Sequence, residues 1–362
     1  LGLGTALSGG GALFLLVRFL QTVSARLSYG FDLEWMEGGM LVHAWRLQEG
    51  LGLYVEPSAD FIPYIYPPLY PWLLSLLGPV DYGTGRLLSA VATLAAVGAL
   101  VALLRRDGTP WLFAVGGAAA FLSCYDESGS FFDLVRGDAL ALGFASWFLV
   151  ALRMAGPRSV GVAGLLLVAA YLSKHNYALL GLPALYWLWR FHSRELALRF
   201  LGASAGVAIV ITAGLALASE GRFLVYLLGV PAVHPFVADR AFPGAGIEML
   251  KAVPWVAGAA SVAGVELFFF RHGKEREPVH LEAVAFWAGM AAVVWILCAV
   301  MRGHHGGFIN VLMPGFWMLS ALGAWVLGRL WLARPHPVLS LAMGLLFAVQ
   351  AWHGAWETKR YS

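Results

Sequence analysis

The chain is short of charge. Only 12% of its 362 residues are Asp, Glu, Lys or Arg, and 60% are hydrophobic, whereas soluble domains carry about 25% charged residues. With a mean hydropathy of +0.73, this excludes a water-solvated globule and calls for many membrane spans. Lysine is rarer still, four of the 24 basic residues, and the net charge is +3 with no long basic run. That excludes nucleic acid as a partner held by a strongly basic surface. Cysteine is limited to Cys124 and Cys298, too few for a disulfide framework, and whether they pair is open. The two asparagines, Asn176 and Asn310, lie in no glycosylation sequon. No repeat or soluble domain is visible, so residues 1–362 read as one transmembrane domain.

What is abundant is apolar sequence. A span needs about 20 apolar residues. Runs at 5–24, 84–104, 198–218, 249–270, 281–300 and 308–328 meet that length. Runs at 110–124, 138–152, 159–172, 176–190 and 337–352 are shorter and cross only where the membrane is locally thin. No cleavage pattern precedes the first run, so it reads as a retained span. The expected fold class is all-α, a polytopic helical bundle of about eleven spans. The stretch 66–78 carries three prolines and reads as an interfacial helix that does not cross.

Charge supports that count. With 66–78 excluded and the N-terminus cytoplasmic, the inner loops hold Arg105, Arg106, Arg153, Arg158, Arg190, Arg194, Arg199, Arg271, Lys274, Arg276, Arg329 and Arg334. The positive-inside rule asks for that. Counting 66–78 as a span would throw Arg105 and Arg106 outside. Most of the 21 acids then fall outside, starting in the long first outer loop, 25–83, which is expected to carry interfacial helices. Long outer loops and short inner turns place the working face outside.

Five stretches concentrate chemistry on that face. Residues 34–49 read as one helix, with Met36, Met40, Ala44 and Leu47 as its apolar stripe. Glu34 and Glu37 then share a side, and Asp32 lies just before. Either the helix is a solvated linker, or it aims its acids at a cavity. The stretch "YIYPPLYPW", 64–72, is stiffened by its prolines. Tyr66 there is an aromatic anchor or a ligand contact. "YDESGSFFDLVRGDAL", 125–140, holds Asp133, Arg136 and Asp138. Asp138 caps a helix or serves a cavity, and Arg136 pairs locally or binds substrate. Lys174 in "SKHN" either snorkels or holds a lipid phosphate as a point charge. "MRGHHGGFINVLMPG", 301–315, gathers Arg302, His304, His305 and Asn310 as a structural turn or as an anion or sugar contact. No spacing fits a zinc signature.

Together these pieces resemble the GT-C superfamily of integral-membrane glycosyltransferases. The similarity is to bacterial enzymes related to protein O-mannosyltransferases and lipid A aminoarabinose transferases. Those proteins carry an acidic pair early in the first outer loop, a helix ending in Gly, and then a Pro-Pro-Leu-aromatic motif. Here "MEGG" to "LQEG" keeps the spacing from Glu37 to Gly50, and "YPPLYPW" matches the proline motif. The first family acid falls at Met36, and the basic residue often found before the prolines is Tyr66.

The resemblance implies a bacterial inner-membrane enzyme. It would move a sugar from a polyprenyl-phosphate donor in the membrane lipid to an acceptor on the outer face, with inversion. It implies Glu37 as the leading general base, with Asp32 and Glu34 as alternates or metal ligands. Lys174, Arg136 and Arg302 are the candidates for the donor phosphate. Tyr66, Asp133, Asp138, His304, His305 and Asn310 are the candidates for the rest of the substrate. Clustered carboxylates beside a phosphate are compatible with a divalent cation; the metal stays open. The alternative is a non-enzymatic membrane protein, either an accessory subunit beside a membrane-protein partner or a transporter. Transporters place ionisable groups at the midplane on repeated, broken helices; here only Glu266 lies deep in an expected span.

Overall fold

The computed structural model describes residues 2–269 and 281–358. The expected inner-loop residues Arg271, Lys274 and Arg276 lie outside the described residues, as does the end of the run 249–270. The described chain is helical apart from turns and one isolated bridge between Phe236 and His304.

The stretch 25–83, expected as the first outer loop, holds two short helices. α1 (Gly2–Leu27) leads into a turn, then α2 (Glu37–Gln48) and α3 (Leu69–Leu76). The helix starts at Glu37, so Glu34 belongs to the turn before it and not to the same helical face. α4 (Tyr82–Arg106) begins at Asp81, whose side chain accepts from Thr84 N at 2.7 Å, an N-cap that satisfies one orphan amide. Then come α5 (Trp111–Leu122), α6 (Gly137–Arg153), α7 (Pro157–Ser173), a 3-10 turn His175–Leu180 and α8 (Gly181–Phe191).

The segment Arg194–Ala218, labelled α9, is one 25-residue apolar helix with a π-turn at Gly202–Gly206. The short helix Arg222–Ala232 is α10. α11 (Ala245–Ala252) and α12 (Pro254–Phe269) follow, then α13 (Leu281–Gly303), α14 (Met313–Ala333) and α15 (Pro337–His353).

Among the described residues, five helices are long and apolar enough to cross a membrane, six if one bent pair counts as a single span. The other expected spans are helices below that length. The run 249–270 is not one straight span: it breaks at Val253 with a 101° bend between 240–252 and 254–267. Pro254 explains the break, since it cannot donate an amide into the preceding turn.

Small residues set the packing. A Cβ on Gly4 would lie 2.2 Å from Ser340 O, and one on Gly116 would meet the Phe347 ring at 2.4 Å. These close approaches tie α1 and α5 to α15, the packing mode of helices in lipid. α14 is the central helix, with Phe316, Trp317, Ala321, Ala324 and Trp325 all buried. α9 exposes Ile209, Val210 and Leu217, a face suited to lipid. The first loop, the turn 123–136, the start of α6, the end of α7 and the turn after α13 gather at one end of the bundle.

Candidate active site

That end holds a cavity of about 460 Å³. Its polar lining is Glu34, Tyr66, Arg136, Lys174, Asn310 and a group of histidines; Trp35, Phe131 and Phe308 are among its apolar walls. The side chains come from segments far apart in sequence, and each is placed by an identifiable contact.

Glu34 enters from the turn before α2. Its Oε2 accepts from Arg136 Nη1 at 2.7 Å and Met36 N at 3.2 Å, while Oε1 accepts no bond among the described residues. Arg136 sits at the N-cap of α6 and also donates Nη2 to Tyr66 Oη at 2.9 Å. Its Nε is buried without a hydrogen bond, 3.9 Å from Asp138 Oδ2. Gly137 follows, and only a residue without Cβ fits, because a Cβ would lie 2.8 Å from Ser173 O. That approach brings the start of α6 against the end of α7. Asp138 consequently accepts from Lys174 Nζ and, at 2.8 Å, from Asn310 Nδ2. Beyond Lys174, His175 Nδ1 and Asn176 Oδ1 are buried in the cavity wall with no partner among the described residues. Burial, with Lys174 and His304 adding to it, holds His175 down at about 4.

The far wall is a strap. Val237 N donates to Gly303 O at 2.7 Å and His305 N to Pro235 O at 3.0 Å. Arg240 donates to the carbonyls of Gly307 and His305. His234 Nδ1 and His304 Nε2 are 3.1 Å apart. Gly303 is required here too, since a Cβ would meet Phe236 at 2.6 Å.

Of the residues singled out from the sequence, the cavity collects Glu34, Tyr66, Arg136, Lys174, His304, His305 and Asn310, with Asp138 directly behind Lys174 and Asn310. Four lie elsewhere. Glu37 is fully buried beneath the cavity floor, and its carboxylate is saturated. It accepts from Arg86 Nε (3.1 Å), Arg86 Nη2 (2.8 Å), Leu33 N (2.7 Å) and Val135 N (2.9 Å). Asp32 is exposed and accepts from Gly38 N and Tyr82 Oη at 2.7 and 2.9 Å. Asp133 is buried against Arg26 at 2.7 Å and Tyr125 Oη at 3.0 Å. Arg302 forms a bidentate pair with Glu248, both contacts 2.7 Å.

Three contributors escaped the sequence reading. Arg86 donates every N–H it has: two to Glu37, and three to the carbonyls of Arg26, Tyr29 and Phe31 at 2.6–2.8 Å. The available signal was an arginine in the first turn of an apolar span, where a charge needs a partner. His43 on α2 accepts from Tyr64 N at 2.9 Å and seats the proline stretch. The pair His175–Asn176 beside Lys174 is the third.

No three His, Cys, Asp or Glu side chains converge as a metal site among the described residues. The acids that could serve are already matched: Glu34 with Arg136, Asp138 with Lys174, Glu37 with Arg86.

Two apolar cavities of about 580 and 590 Å³ flank the site. One is lined by Leu53, Leu69, Trp72 and Leu215, the other by Leu167, Leu182, Phe200 and Ile209. Leu172 lies in the first, and Tyr171 and Ala178 in the second, so both border the segment 171–178 that carries Lys174.

No family model matches this chain, and no curated protein does. A solved structure does: the crystal structure of ArnT from Cupriavidus metallidurans in the apo state, with a TM-score of 0.62 and 15% identity. The likeness covers 88% of this chain and 60% of that one, so this chain spans about 60% of its neighbour's length. At that identity the likeness is one of fold, and the chain has an ArnT-like membrane fold, of the kind the GT-C resemblance implies.

Proposed function

We propose that the protein is a membrane glycosyltransferase that takes a sugar from a polyprenyl-phosphate donor, and that the cavity around Arg136 and Lys174 is its active site. The observation that carries this reading is the meeting, in one cavity beside apolar grooves, of two buried cations and a half-buried carboxylate with one free oxygen. An isolated charge pair would serve stability poorly, since burying it costs as much as it returns. A phosphodiester gives the cations a purpose.

In the proposed reaction an acceptor hydroxyl oxygen attacks the anomeric carbon as the bond from that carbon to the phosphate oxygen breaks. Glu34 takes the hydroxyl proton through Oε1, the role of a general base. Arg136 and Lys174 stabilise the charge left on the departing polyprenyl phosphate. The products are the glycosylated acceptor, polyprenyl phosphate and a protonated Glu34. The prenyl tail lies in the apolar grooves, and the face is the outer one. Glu37 has no free lone pair to offer a substrate, so its role is to anchor the site and Glu34 takes the base's place. Arg302, held by Glu248, braces the turn after α13.

Transfer from a polyprenyl-phosphoryl sugar by the purified protein tests this. Glu34→Gln is expected to lower turnover about 10²-fold or more with donor binding kept. Glu37→Gln strands Arg86 and is expected to lower the melting temperature, at a cost of about 3–5 kcal/mol. Full turnover by Glu34→Gln overturns the base assignment. No turnover and no lipid-phosphate binding by the wild type would favour the accessory-subunit reading.

A further inference from the structure

Beyond the phosphate contacts, the cavity wall has two polar groups that serve nothing in the fold. His175 Nδ1 and Asn176 Oδ1 are buried without a partner among the described residues, and both residues line the cavity. Leaving such an atom unsatisfied costs about 1–3 kcal/mol, a cost a fold carries when the group works for something else. They open the 3-10 turn His175–Leu180, one residue from Lys174. Lys174 is itself fixed on Asp138, so both groups stand at a set distance from the cations.

The charges around them are unequal. Arg136, Lys174 and Arg240 face Glu34 and Asp138, so three cations against two carboxylates leave one positive charge with the histidines neutral. A lipid-phosphoryl sugar is a phosphodiester with one negative charge, which matches if the sugar has none. A sugar ammonium would stand among three cations, with Asp138 committed to Lys174 and only Glu34 Oε1, the oxygen assigned to the acceptor's proton, left to meet it.

We infer that His175 and Asn176 form a subsite for the hydroxyl groups of an uncharged sugar, and that the cavity discriminates against amino sugars. The inference rests on the lipid-phosphate reading above. Asn176 Oδ1 accepts from a sugar hydroxyl, and His175 Nδ1 exchanges a hydrogen bond with another.

Binding to the full-length protein in nanodiscs tests it with three probes: decaprenyl phosphate, decaprenyl-phosphoryl hexose and the corresponding amino-sugar lipid. Two hydrogen bonds at about 1 kcal/mol each correspond to roughly ten- to thirty-fold. The hexose lipid is therefore expected to bind about that much tighter than the bare phosphate, and the amino-sugar lipid no tighter than the bare phosphate. Asn176→Leu and His175→Leu are each expected to reduce the sugar's increment several-fold while bare phosphate binding stays within about two-fold. Because neither group has a protein partner, neither variant should melt lower than wild type; a lower melting temperature with an unchanged increment would mark a structural role and overturn the subsite. An increment unchanged in both variants, which is also the outcome if a water fills the place, or an amino-sugar lipid bound as tightly as the hexose lipid, overturns it too. If the wild type binds bare decaprenyl phosphate but gains nothing from the sugar, the inference alone falls. If it does not bind bare decaprenyl phosphate, the glycosyltransferase reading falls and takes the inference with it.

Discussion

His43 sits on α2 with both ring nitrogens engaged. Nδ1 donates to Gly39 O at 2.7 Å, and Nε2 accepts the Tyr64 amide at 2.9 Å. The ring stacks on Tyr64 with centroids 4.5 Å apart. A second proton would have to go onto Nε2 and break the bond to Tyr64. Burial accordingly pulls His43 from 6.5 to about 4, helped by Arg46 and opposed by the Gly39 carbonyl. Because the folded value is the lower one, the unfolded chain binds the extra proton. The contribution is complete above pH 6.5 and is lost as pH falls toward 4, about 3 kcal/mol across the window. Melting temperature measured from pH 7 to 4.5 should fall for the wild type. It should fall less for His43→Gln, whose side-chain oxygen can still take the Tyr64 amide. This role was not legible in the sequence, because a lone histidine on an amphipathic helix shows no partner until the proline stretch folds back over it. Glu37 illustrates the converse: the motif marked the residue, but only the tertiary contact with Arg86, 49 positions away, reveals a carboxylate with no lone pair to spare.

At the scale of elements, α2 and α3 were legible because amphipathic spacing and prolines are local signals. The apolar runs likewise located the helices. What composition could not supply was direction: the bend at Val253, and the start of α2 at Glu37 instead of Glu34. Those three residues separate a cavity carboxylate from a buried one. The junction of α6 and α7 was equally hidden, since Gly137 reads as an ordinary loop glycine. Its missing side chain lets Ser173 O come close and so brings Asp138 to Lys174. Gly137→Ala should therefore act as overpacking, costing about 1–3 kcal/mol despite alanine's better helix propensity. It should also weaken lipid-phosphate binding, because Lys174 is carried away from its partner. A melt no lower than wild type with unchanged binding would remove the junction from the account.

The molecule as a whole offers a clean test of sidedness, because both cysteines are free and buried. A cysteine introduced at Ala59, exposed in the first loop, is expected to react with a membrane-impermeant thiol reagent on intact cells. One at Arg158, exposed in the first turn of α7, is expected to react only after lysis. The reverse pattern would put the cavity on the cytoplasmic side and remove the outer-face reaction. The expected orientation rests on the acid surplus assigned outside and the arginines assigned inside, that is, on sums of charge and not on particular contacts. The cavity was readable only in part: its cations stood out in a greasy chain, whereas their partners lie across distances such as the 102 residues between Glu34 and Arg136.

One carboxylate, that of Glu37, holds the amides of Leu33 and Val135 together, each next to a residue that lines the cavity. Neither loop can settle before the other arrives. The helices can enter the lipid one after another during synthesis, yet the cavity is complete only once both loops are locked onto the same side chain.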